Sequence, residues 1–103
     1  MALTIPADIA FLFRPVETLA PIPRHTETSQ ILQPGDIAQV TAPDDGQVCM
    51  FQQEQAGAEW IETKLTHGSY AAVQAGHRAL TLRVVNQPFS MGDATLEIAR
   101  RAA

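Results

Sequence analysis

Three histidines (His25, His67 and His77), one cysteine (Cys49) and one adjacent carboxylate pair (Asp44-Asp45) are the side chains of this chain whose types point first to chemistry. A transition-metal site would place histidines at His-x-His or His-x3-His spacing, and none of the three stands in such a pair. His67 and His77 flank an expected hairpin that could bring them together, yet Gly76-His77-Arg78 equally suits a plain turn entering a strand. Double-stranded barrels of the cupin type carry a His-x-His cluster, a carboxylate a few residues on and a further histidine. Gly35-Asp36 and Gly76-His77 are only isolated fragments of that pattern, and the chain is short for that fold. Cys49 lies in the apolar run Val48-Cys49-Met50-Phe51 with no cation beside it, so it reads as a small buried apolar residue. Ser69 and Ser90 stand in turns without the Gly-x-Ser-x-Gly elbow of a nucleophilic serine. Asp44-Asp45-Gly46 reads as a hairpin tip, since a calcium loop would need further oxygen ligands at regular spacing. The glycines never cluster into a phosphate-cradling loop. The expectation is a chain with no catalytic residue, no cofactor and no metal.

What remains is surface that could meet a partner. If alternation holds through residues 58–65, Trp60 shares a face with Glu62 and Lys64, opposite Ile61 and Leu65. An indole on a polar sheet face marks an interaction surface, unless the proline-rich segment covers it. Phe89 and Met91, in Gln87-Pro88-Phe89-Ser90-Met91-Gly92, form a second apolar group in a turn. Arginine supplies six of the seven cations and is the cation enriched at interfaces. The expected partner interface is therefore Trp60, Glu62, Lys64, Phe89 and Met91, joined by Pro21, Pro23 and Arg24 of the proline-rich segment.

The elements that must position these residues read as strands. The six glycines fall at 35, 46, 57, 68, 76 and 92, the first three intervals being 11 residues each. Turn signals at that spacing, separated by short apolar segments, are the pattern of an antiparallel sandwich or barrel. Residues 78–86 alternate most clearly, with Leu80, Leu82 and Val84 on one face and Ala79, Thr81, Arg83 and Val85 on the other. Residues 47–53 are apolar on both faces, as in a central or doubly covered strand. Residues 36–42 and 8–14 also read as extended, the latter aligning Ile9, Phe11 and Phe13. At the C-terminus, Asp93 could cap a helix through residues 94–101, but Leu96 and Ile98 alternate as in a strand, which would lie beside residues 78–86. Six of the seven prolines fall in the first 43 residues, so residues 15–29 read as an extended crossover or an arm reaching a neighbour.

The expected fold is thus all-β: a small antiparallel β-sandwich or barrel of about seven strands, one domain over residues 1–103. Its expected core is Ile9, Phe11, Phe13, Val40, Val48, Phe51, Ile61, Leu65, Val73, Leu80, Leu82, Val84, Leu96 and Ile98.

Composition narrows the partners. A net charge of −4 argues against a nucleic-acid surface, which needs clustered cations. The longest apolar run, residues 9–13, is far short of the roughly 20 residues of a membrane helix. Preceded by Asp8 with no Lys or Arg upstream, it also lacks the form of a secretory signal. A single cysteine allows no internal disulfide. No compartment is fixed, and cytoplasm and virion are both compatible. Three function classes then compete. The first is a non-catalytic assembly protein that forms a homo-oligomer, such as a trimer, or decorates a larger scaffold, as virion cement or tail-associated proteins do. The second is a carbohydrate- or peptide-binding module stacking its ligand on Trp60 with help from Tyr70. The third is a small barrel enzyme or sensor using His67 and His77.

Overall fold

The structure is a computed structural model that describes residues 2–102. Eight strands build it: β1 (Glu17–Thr18), β2 (Thr26–Leu32), β3 (Ile37–Thr41), β4 (Gln47–Gln53), β5 (Ile61–Thr66), β6 (Tyr70–Gln74), β7 (Leu80–Asn86) and β8 (Thr95–Ala99). They form two four-stranded antiparallel sheets, the first in the order β1-β8-β3-β6 and the second in the order β2-β7-β4-β5. The expected β-sandwich is therefore what the chain forms. Only β4 and β5 are joined as a hairpin within one sheet; every other connection crosses to the opposite sheet. That winding, with two interlocked Greek keys, is the strand order of a jelly roll. The length that seemed short for a double-stranded barrel is enough, because no strand exceeds seven residues.

Each glycine lies in a different connection, one for every link from β2–β3 to β7–β8. Gly46 shows the need most directly, since a Cβ there would stand 2.5 Å from the Ser90 hydroxyl. Gly35 turns the chain between sheets with φ +89°, a left-handed conformation that side chains resist.

Between the sheets, period-two burial closes one core. Leu80, Leu82 and Val84 of β7 face inward beside Val48 and Met50 of β4, against Ala38, Val40, Leu96 and Ile98 of the first sheet. Leu65, Val73 and Leu32 complete it. Of the expected core, Val40, Val48, Leu65, Val73, Leu80, Leu82, Val84, Leu96 and Ile98 are buried. Five are not. Residues 8–14 form no long strand but a turn of 3-10 helix (Ala10–Leu12) outside the sandwich, so Phe11 is 77% exposed and Ile9 and Phe13 only partly covered. Phe51 sits on the outer face of the second sheet, and Ile61 begins β5 at the sheet's rim, 61% exposed.

Two further expectations change. The C-terminus is a strand, but β8 pairs with β3 and β1 in the first sheet rather than with β7. Asp44-Asp45-Gly46 is not a hairpin tip, because the link β3–β4 changes sheets.

The proline-rich residues 15–29 meet their own body at several points. Glu17 and Thr18 pair with Ile98 and Glu97, Ile22 bridges to Ala94, and the His25 N–H donates to the Asn86 carbonyl at 2.9 Å. From Thr26 the segment becomes β2, the edge strand beside β7. It carries the chain from an edge of one sheet to an edge of the other, with Ile22 buried in the core.

Candidate functional site

The residues singled out for a partner fall into two groups at opposite ends of β5. Trp60 stands just before β5, and by alternation it extends the outer side that carries Glu62 and Lys64. Phe89 and Met91 stand in the β7–β8 link at the other end, a strand length or roughly 20 Å away. They do not form one continuous patch.

The Phe89–Met91 end is held by buried polar contacts. Ser90, between them, is fully buried; its hydroxyl accepts the Gln47 N–H at 3.0 Å and donates to the Gln47 carbonyl at 3.1 Å. The Met91 N–H reaches the Asp45 carbonyl at 2.7 Å. Asn86, at the end of β7, donates from Nδ2 to the carbonyls of Ile22 and Gly92, both at 2.9 Å, and its Oδ1 is buried without a donor. With Ser90 drawn in, its neighbours are left outside: Phe89 is 64% and Met91 70% exposed. Pro23, Arg24, Met91, Gly92 and Asp93 line a shallow depression here, and Asp44 and Asp45 line another beside Met91. The structure thus brings Met91, Pro23 and Arg24 together. Pro21 is exposed on the same crossover.

On the outer face of the second sheet, Phe51 lies between Arg83 of β7 and Glu62 of β5. The Arg83 guanidinium lies over the Phe51 ring, 5.3 Å from its centre, and pairs with Glu27 of β2. Cys49, also on this face, is buried and receives the Gln87 side-chain amide at 3.1 Å. Trp60 lies beyond this stack, 42% exposed.

Two expected combinations do not assemble. His67 precedes β6 and His77 follows it, so a strand length separates them. Tyr70 opens β6 in the first sheet, while Trp60 stands at the far end of β5 in the second, so the two rings offer no joint stacking platform. Among the described residues, no group of three His, Cys, Asp or Glu side chains converges as metal ligands would.

Sequence reasoning missed the carboxylates that matter most to the architecture. Asp36, in the β2–β3 turn, is buried and accepts the Arg101 N–H (2.7 Å), the Gln33 N–H (2.8 Å) and the Arg100 guanidinium (3.0 Å). Burial by itself pushes this carboxyl up, but the Arg101 N–H, the Arg100 side chain and the Gln33 N–H outweigh it and hold it below the ordinary aspartate value. The turn at Gly35 was visible in the glycine spacing; the link of Asp36 to the C-terminus was not. Glu97 is buried on the outer face of the first sheet, where its two carboxylate oxygens accept the Leu3 N–H at 3.2 Å each. Both carboxylates serve the architecture, joining segments far apart in sequence.

No protein-family model, curated protein or solved structure matches the chain.

Proposed function

We propose that the protein is a non-catalytic assembly module, a small sandwich that associates with itself or seats on a larger protein scaffold, as decoration, cement or tail-associated proteins of virus particles do. The observation that carries this reading is the Phe89–Met91 end. Two large apolar side chains are held outward there by a backbone that Ser90, Gln47 and Asp45 fix, so their exposure is built in. Trp60 adds a second apolar point at the opposite end. Large apolar side chains on a rigid surface gain most by burial against a partner, because little side-chain or loop entropy remains to be lost. Jelly rolls serve as capsid subunits, lectins and cupin enzymes alike, so the fold by itself does not choose among them.

A carbohydrate-binding module is the second reading, now resting on Trp60 without Tyr70. Light scattering separates the two. The assembly reading expects an oligomer whose mass rises with concentration, and expects Trp60→Ala to reduce that mass with the melting temperature unchanged. A monomer at every concentration whose Trp60 fluorescence shifts with added oligosaccharide would replace assembly with sugar binding.

A further inference from the structure

The two sheets end in four edge strands, β1, β6, β2 and β5, and three of them are guarded. An edge strand presents unpaired N–H and C=O groups, and proteins block it by shortness, by charge or by proline. β1 is two residues long. β2 carries Glu27, paired with Arg83. β5 carries Glu62 and Lys64. β6, Tyr70-Ala71-Ala72-Val73-Gln74, has neither charge nor proline, and among the described residues no strand pairs with its second edge.

Register shows which of its backbone groups are free. The Ala75 N–H donates to the Asp36 carbonyl, and the Ser69 carbonyl accepts the Ala42 N–H. In an antiparallel pair, bonding to one neighbour alternates along the strand. Ala71 and Val73 therefore turn their backbone groups toward β3, and Tyr70, Ala72 and Gln74 turn theirs away from it. The side chains of these last three residues are exposed on the outer face.

We infer that β6 pairs antiparallel with β6 of a second copy of this chain about a twofold axis through Ala72. This rests on the assembly reading and adds which contact joins two copies, leaving Trp60 and the Phe89–Met91 end for further ones. The register is self-complementary, as a twofold interface requires. Ala72 meets Ala72 of the second copy, so the axis passes through the smallest side chain of the three. Tyr70 of each copy lies opposite Gln74 of the other, and no like charges meet. Each of these pairs exchanges both of its hydrogen bonds, and the first sheet runs on through both molecules.

The test compares the full chain with Ala72→Lys and Ala72→Ser. Wild type and Ala72→Ser are expected to contain a dimer by light scattering. Ala72→Lys sets two ammonium groups against each other on the axis and is expected to lose the β6 contact, its mass at a given concentration falling below that of Ala72→Ser, with an unchanged far-ultraviolet circular dichroism spectrum. Trp60→Ala is expected to keep the dimer. A wild-type monomer overturns the inference. An oligomer that survives Ala72→Lys but is lost in Trp60→Ala also overturns it, and leaves the assembly reading standing. If Ala72→Lys does not fold, hydrogen exchange on the wild type decides instead. The Tyr70, Ala72 and Gln74 amides should gain protection as concentration rises, while Ala71 and Val73 are protected throughout. Exchange independent of concentration at all five overturns the pairing.

Discussion

On the outer face of the first sheet, Gln39, Glu97 and Ala99 are buried; on the outer face of the second, Phe51, Arg83 and Val85 are half-exposed. Simple patterning would have placed these residue types the other way round. The difference lies in what the rest of the chain does. Ahead of β1 the chain folds back over the first sheet, where the Leu3 N–H meets the Glu97 carboxylate. Residues 12–14 run beside the C-terminal end, with the Arg14 N–H on the Arg100 carbonyl and the Ala102 N–H on the Leu12 carbonyl, both at 2.8 Å. A buried carboxylate is tolerable only when donors reach it, and here a backbone amide does. The second sheet has no such cover among the described residues. Its apolar ring is shielded instead by a cation, because Arg83 lays its guanidinium over Phe51 and Glu27 holds it there. A face can be closed by backbone or by a long side chain.

Substitutions can break this contrast in order of expected effect. Asp36→Ala should be the most damaging, because it takes the buried carboxylate from two backbone amides, those of Gln33 and Arg101, and from the Arg100 guanidinium, all at partly buried contacts. A loss of about 3 kcal/mol is expected in urea unfolding. The same carboxylate carries a pH signature. Its folded-state value is lowered, so its contribution is complete above the ordinary value of 3.8 and drains away as the pH falls through the lower folded one. Wild-type stability should therefore fall more steeply than that of Asp36→Asn below about pH 3.8. A parallel acid profile in the two proteins would remove Asp36 from this role.

Glu97→Ala should cost less, about 1–2 kcal/mol, since it removes a charge-assisted hydrogen bond and leaves one amide unpaired. Its particular sign is local: amide exchange at Leu3 should accelerate well beyond that of the core strands. Uniform loss of protection would mean that Glu97 supports the whole sandwich rather than its cover. Phe51→Ala, on the open face, should cost about 1 kcal/mol, because the ring is only partly buried and Arg83 can return to water. A loss as large as that of a core Leu→Ala change would show that the open face is packed as tightly as the covered one.

Much of the architecture was legible. Strand alternation at Leu80, Leu82 and Val84 and the glycine spacing depend on local geometry, which sequence records directly. The Ile9-Phe11-Phe13 pattern misled because period two says that a segment can be a strand, not that a sheet has a place for it. That place beside β8 is taken by β1, two residues long. Trp60, on an outer sheet face, and Phe89 and Met91, in a turn, are exposed. Their separation was not readable, because distance across a sandwich depends on which sheet each strand joins. The same holds for His67 against His77 and for Trp60 against Tyr70.

By itself the sequence determined the all-β class, the turn positions and which side of most strands faces inward, because backbone sterics and side-chain alternation act over a few residues. The tertiary structure alone decided the strand order, the partner of β8, the edge left open on β6 and the burial of Asp36 and Glu97. These depend on contacts between residues as far apart as Leu3 and Glu97, where the energy comes from satisfying a donor or acceptor once both are removed from water, and no local pattern encodes such a pair.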